Sequence, residues 1–182
     1  MKFSCSQHTL TKALNIVSKA VTTRTTIPVL KGILLKTDDN GVLTMAASDL
    51  DLSIERKIKV EDCEPGETVV LSKLFGDIIR KLPDETIVIE ENDGKVNIRC
   101  SNSEFNIIGL ESDEFPNIDP KDEYVEELVF NKEILKDMIG KTAFSASIDE
   151  NKGAMTGVLI EMEETVLSMV AIDGFRMAIA RE

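Results

Sequence analysis

The stretch Val42–Lys57, VLTMAASDLDLSIERK, returns near the other end of the chain as Val166–Glu182, VLSMVAIDGFRMAIARE. At an offset of 124, LTMAASD from Leu43 lies over LSMVAID from Leu167. Just upstream, Leu30-Lys31-Gly32-Ile33-Leu34-Leu35 lies over Met155-Thr156-Gly157-Val158-Leu159-Ile160 at an offset of 125, and Leu10 meets Leu135 at the same offset. Three segments in one order at nearly one spacing predict a duplicated domain. The copies diverge just after the shared aspartate: one continues Leu50-Asp51-Leu52, the other Gly174-Phe175-Arg176-Met177.

Local patterns around the repeat predict the elements. Ser6 is a good helix N-cap, and Leu10, Ala13, Leu14, Val17, Ala20 and Val21 follow at helical spacing. KGILLKTDDNGVLTMAAS reads as a strand, an Asn40-Gly41 turn and a strand. In SDLDLSIERKIKV, Leu50, Leu52 and Ile54 alternate with polar residues, which predicts a strand with one wet face. Pro65-Gly66 marks a turn, and the pattern restarts. ETVVL is a strand, and SKLFGDIIRKL is a helix capped by Ser72. Its Leu74, Phe75, Ile78 and Ile79 point inward, and its Lys73, Arg80 and Lys81 outward. TIVIEE, KVNIRC and EFNIIGL are three further strands. The first 110 residues therefore predict β-α-β-β-β twice, an α+β fold with helices on one face of antiparallel sheets. Residues 111–127 are acidic and carry two prolines, which predicts a linker. LVFNKEILKDMIGKTAF then opens the pattern a third time as strand, Asn131 cap and helix. The expected division is one domain over 1–121 and the first half of a second over 122–182, because Glu182 matches a point near Lys57 of the first copy.

The chain has 182 residues, 42% of them hydrophobic, enough for a real core. No apolar run approaches the roughly 18 residues of a membrane span, and the N-terminus lacks the apolar region of a signal peptide. Cys5, Cys63 and Cys100 are odd in number and far apart, which suits a reducing cytoplasm and predicts no metal cluster. Net charge is −12, yet residues 1–37 contain no acid and six cations: Lys2, Lys12, Lys19, Arg24, Lys31 and Lys36. All three predicted helices are basic on their polar faces. Helix one has Lys12 and Lys19, helix two Lys73, Arg80 and Lys81 against Asp77, and helix three Lys132, Lys136 and Lys141 against Glu133 and Asp137. Such a face suits phosphate backbones, which give affinity without sequence readout. Lysines that merely solvate a helix face have the same pattern.

An enzyme reading finds little support. Asp49 and Asp51 could be a metal-binding pair, but strand alternation explains them more simply. His8 follows the cap and reads as a surface residue of the first turn. No phosphate-binding glycine motif or zinc-protease motif occurs.

The segments MKFSCSQHTLTKALNIVSKAVTTRTTIPVLKGILLKT, SDLDLSIE, FPNID and AIDGFRMA resemble the β subunit of bacterial DNA polymerase III, the sliding-clamp family. The resemblance covers the whole chain and lies in the order and spacing of these segments. It implies a non-catalytic processivity factor, without cofactor or metal, built from three similar domains. The third domain lies outside this chain. Two protomers would form a head-to-tail ring around duplex DNA, with the helices inside. It puts Arg24 in a DNA-contacting position, with Lys73, Arg80 and Lys152 on the inner or adjacent surface; Lys12 and Lys19, from the helix charge, are expected to bind DNA with them. It puts Met155, Ile172, Gly174, Phe175, Arg176 and Met177 in a pocket where the polymerase, the clamp loader and repair proteins dock through short peptides. Ile172 and Phe175 depart from the commoner Thr and His, and Lys152-Gly153 from the commoner Arg-Pro. Phe105 and Ile107, on an expected edge strand, resemble positions that join the neighbouring protomer. The alternative is a β-rich protein-interaction module with no DNA role.

Overall fold

The computed structural model describes residues 1–23, 25–118 and 129–182. The chain divides into two compact units, Met1–Lys121 and Asp122–Glu182.

The first unit contains β1 (Lys2–Ser6), α1 (Gln7–Val17), β2 (Gly32–Thr37), β3 (Val42–Ser48), β4 (Ser53–Lys59), β5 (Glu61–Glu64), β6 (Gly66–Leu71), α2 (Ser72–Lys81), β7 (Thr86–Asn92), β8 (Lys95–Cys100) and β9 (Ser103–Leu110). The sheet order is β4-β3-β2-β6-β9-β8-β7-β1-β5, with every pairing antiparallel. The two β-α-β-β-β modules exchange their first strands. The β2-β3-β4 meander of the first module takes β6 at its edge, and the β7-β8-β9 meander of the second takes β1. Gly109 and Leu110 of β9 then pair with Val70 and Val69 of β6 and join the halves.

Helical periodicity decides what fills the core. Leu10, Ala13, Leu14 and Val17 of α1 and Phe75 and Ile79 of α2 pack with Phe3, Leu35, Leu43, Met45, Val70, Ile87, Ile89, Val96 and Ile98 from the strands. Ser6 caps α1 as expected, its Oγ accepting from Thr9 N at 3.2 Å. Ser72 does not cap α2. It is the first helical residue, Leu71 takes the cap position, and no side chain bonds there. Leu74, expected inward, is 47% exposed, because the buried stripe runs through Phe75, Gly76 and Ile79, one residue away around the helix. Cys5 is buried among the core side chains, which pushes its thiol up to about 12 and leaves it unreactive.

Residues Asp49–Leu52 are a turn, not the start of a strand. Asp49 N donates to Leu52 O at 3.1 Å, and Asp49 Oδ1 accepts from Asp51 N at 3.1 Å and Leu52 N at 2.7 Å. The carboxylate of Asp49 is thus spent on its own backbone. Among the described residues no three His, Cys, Asp or Glu side chains converge as a metal site.

The second unit has α3 (Lys132–Thr142) packed on an antiparallel sheet of β10 (Leu159–Glu163), β11 (Val166–Ile172) and β12 (Met177–Arg181). Asn131 caps α3, its side chain accepting from Glu133 N and Ile134 N at 2.9 and 3.3 Å. Met138, Leu167, Met169 and Ala180 form its core. The register repeats that of the first unit. Leu35 faces Met45 and Ser48 faces Ser53, and at the matching places Ile160 faces Met169 and Ile172 faces Met177. The strand expected just before Asn131 is not formed at Val129 and Phe130. Its counterpart β1 pairs with β5 and β7, and the described residues of this unit hold no counterpart of either. Ile160 is exposed where Leu35 is fully buried, because β6 and α2 pack on β2 and the described residues of the second unit hold no counterpart of either.

Gly32 and Gly157 match in sequence but not in constraint. A Cβ on Gly32 would lie 2.4 Å from Val69 Cγ1 and 2.9 Å from Val70 O, whereas on Gly157 the nearest atom is 3.7 Å away. Gly32→Ala is therefore expected to cost about 1–3 kcal/mol by overpacking, and Gly157→Ala less than about 0.5 kcal/mol in this chain. Urea unfolding of the two variants checks this.

Candidate functional site

Two surfaces carry the residues that the sequence points to. The first is the helix side of the first unit. Lys12, on the wall of α1 opposite the core, and Lys19, in the short 3-10 turn (Ser18–Ala20) that follows α1 where the sequence had put both on one helix, are exposed and stand seven residues apart. Lys73 is exposed in the first turn of α2, and α1 and α2 pack against each other. Ser18, Val21 and Thr23 beyond α1, with Lys31, face Leu71, Lys73 and Leu74 across a groove of about 640 Å³. Val21, Leu71 and Leu74 line this groove together with Lys31, Lys73 and Asp77, so the face is not uniformly polar. Arg80 is less free than expected. Its Nη2 sits 3.1 Å from Asp77 Oδ1, and its guanidinium folds back over Gly76. Arg24 lies outside the described residues.

The second surface is the β11–β12 turn of the second unit. Asp173 N donates to Arg176 O at 3.2 Å. Asp173 Oδ1 accepts from Phe175 N at 2.8 Å and Arg176 N at 3.0 Å, and Oδ2 accepts from Arg176 Nε at 2.8 Å. This is the turn built by Asp49, residue for residue. Gly174, at φ +92°, takes the left-handed place that the turn requires. Held on this frame, Phe175 is 94% exposed, and Met155, Ile172 and Met177 are exposed too. The Arg176 guanidinium lies 5.7 Å from the centroid of Phe144. With Nε on Asp173, its Nη groups are left for a carbonyl or carboxylate of an incoming chain.

Lys152, expected on the inner or adjacent surface, stands at this turn. Its Nζ donates to Asp173 O at 2.8 Å and stands 5.4 Å from the centroid of Phe175. Lys152 thus buttresses the turn. The turn's own carbonyl is the nearest acceptor and Phe175 the nearest π-face, and both hold the ammonium.

At the edge of the first unit, Ser103–Ile108 of β9 pairs with β8 on one side and with no strand on the other among the described residues. Phe105 is exposed there. Ile107 is 8% exposed and belongs to the core, so it is not a surface anchor. Strand alternation turns Ile108 outward instead, at 77% exposure.

The N-terminal domain model of the DNA polymerase III beta subunit matches residues 1–119, and the central domain model matches residues 129–182. This chain belongs to the DNA polymerase III beta subunit family. The beta sliding clamp of Halalkalibacterium halodurans is 38% identical over 192 residues, covering 100% of this chain and 50% of the relative. Among solved structures, a putative DNA polymerase III beta subunit from Eubacterium rectale is 40% identical with a TM-score of 0.89, covering 100% of this chain and 49% of that one. The DNA polymerase III subunit beta of Pseudomonas aeruginosa, solved bound to griselimycin, is 28% identical with a TM-score of 0.93, again over 100% and 49%. The chain thus spans about half the length of the curated relatives it matches.

Two contributors to the second surface do not stand out in the sequence. Phe144 stands 125 residues after Lys19, so the repeat offset itself carries the signal that an aromatic replaces a cation there. Asp173 is the shared residue of the repeat, but its part as the brace of the turn is set by backbone geometry.

Hydrogen bonds from the Phe175 and Arg176 amides and from the Arg176 side chain hold the Asp173 carboxyl below the usual carboxylate range. A depressed folded pKa means that the stabilisation is complete above the unfolded value near 3.8 and is lost as pH falls through the lower folded value. Amide signals of Phe175 and Arg176 should therefore hold steady from neutral pH to about 4 and broaden only below it. Asp173→Ala should broaden them at every pH, as an NMR titration would record.

Proposed function

We propose that this chain works as part of a DNA polymerase processivity factor, a sliding clamp that encircles duplex DNA and tethers a polymerase. The proposal assigns Met1–Lys121 to the clamp's first domain and Asp122–Glu182 to the opening part of its second, with a third domain supplied from outside this chain. The observation that carries it is the exposed, acid-free wall of α1 with Lys12, continued by Lys19 in the turn that follows, packed beside an α2 whose second residue is Lys73. It stands on a chain of net charge −12, which otherwise repels nucleic acid. A ring needs no tight grip. Screened lysine contacts to phosphate hold the duplex loosely and let it slide, while topology prevents escape. No chemical step is required of the chain, which acts as an accessory subunit in the cytoplasm.

In this reading the β11–β12 turn is the docking site for short peptides of the polymerase, the clamp loader and repair proteins. Met155, Ile172, Phe175 and Met177 offer an adaptable apolar wall, and Arg176 orients a peptide carbonyl or carboxylate. Lys152 is assigned to this site, not to DNA. The open edge of β9, with Phe105 and Ile108, is the surface for the neighbouring protomer in a homodimeric ring, since an unpaired apolar edge needs a partner.

Two outcomes are expected. In the full-length protein, replacing Lys12, Lys19 and Lys73 by Glu should weaken duplex association and lower its salt slope by about 0.9 for each phosphate that is no longer neutralised. Fluorescence anisotropy across a salt titration measures both. An unchanged slope would remove the inner-wall assignment. Also in the full-length protein, Arg176→Ala and Met177→Ala should each weaken binding of an apolar polymerase-tail peptide about tenfold. Calorimetry giving equal affinities would refute the docking site.

A further inference from the structure

The β3–β4 turn holds a side chain that its own backbone disfavours. Leu50 sits at φ +81° and is 64% exposed. Its counterpart in the matching turn is Gly174, at φ +92°. The turn therefore calls for a residue that enters the left-handed region freely, and the first unit places a leucine there and leaves it in water. Leu52, two residues on, is 49% exposed.

The two turns share one frame and invert their chemistry. By the repeat offsets, Ile27, Leu50, Asp51 and Leu52 stand where the second unit has Lys152, Gly174, Phe175 and Arg176. Two cations become aliphatic, and the exposed ring becomes a carboxylate. The base of the turn inverts as well. Ile172 and Met177 are apolar and exposed, whereas Ser53 Oγ donates to Ser48 Oγ at 2.8 Å, and Ser48 Oγ accepts from Leu50 N at 3.1 Å. The four-residue turn contains two acids and no cation. Asp49 is occupied by backbone amides, and Asp51 forms no ion pair among the described residues.

We propose that the Asp49–Leu52 turn is a second protein-docking surface, whose partner is an extended segment alternating basic and large apolar side chains. Leu50 and Leu52 are its anchors, Asp51 pairs with the partner's cation, and the Asp49 brace presents all three on a turn that needs no ordering on contact. Charge decides against an acidic peptide, and equally against a phosphate backbone. The surface is separate from the peptide site of the second unit and does not depend on that assignment.

The test uses the 182-residue chain with two fluorescein-labelled peptides, Lys-Leu-Lys-Phe-Lys-Leu-Lys and its twin with Glu for every Lys. Anisotropy is expected to show binding of the basic peptide and not of the acidic one. Leu50→Gly and Leu52→Ala should each weaken binding about fivefold or more, and Asp51→Lys should reverse the preference. Leu50→Gly suits the backbone, so it should melt at or above the wild-type temperature, and its binding loss cannot come from unfolding. The proposal is overturned if neither peptide binds, if both bind alike, if the leucine variants bind like wild type, or if Leu50→Gly melts well below it.

Discussion

The architecture of the first unit depends on backbone hydrogen bonds made between modules, not within them. A three-stranded meander satisfies its middle strand and leaves two edges unpaired. Here the free edge of each meander is filled by the first strand of the other module: β6 beside β2, and β1 beside β7. Neither module can close without its neighbour, so the core of α1, α2 and both half-sheets forms as one body. The same constraint accounts for Gly32, which lets β2 approach β6, and for the exposed Ile160 and the unformed strand at Phe130, where the described residues hold no second module.

On this frame the chain repeats a small device, an aspartate that bonds the amides two and three residues ahead of it and so fixes a four-residue turn. The device is indifferent to what the turn displays. In one copy it presents Leu50, Asp51 and Leu52, in the other Phe175 and Arg176 steadied by Lys152 and Phe144. Duplication thus supplies two rigid platforms of the same shape, and their surface chemistry has moved in opposite directions.

Much of this is legible residue by residue. The Ser6 and Asn131 caps, the inward stripe of α1 and the Asn40-Gly41 turn follow from local rules. The departures have a common origin. Leu50 and Leu52 alternate like a strand, but two Asp49 hydrogen bonds override alternation. Leu74 is apolar and helical, but lies beside the stripe that meets the sheet. Ile107 and Ile108 are indistinguishable by type, and only the pairing of β9 with β8 says which one faces the core. Lys152 carries the charge of a DNA contact, and only the folded turn shows its ammonium bound to Asp173 O. Periodicity reports a side chain's direction within an element. It does not report which partner waits there.

The sequence by itself determined that a domain is duplicated, at what offset, that its elements are β-α-β-β-β, and that its helices carry the basic charge. These are properties of order, spacing and composition, and each can be read one element at a time. Tertiary structure alone decided the exchange of first strands, the edge left open at β9, the burial of Ile107 and the capture of Lys152 by the β11–β12 turn. Each of these joins groups that are distant in the chain or turned by a few degrees of backbone, and local patterns carry no record of such contacts.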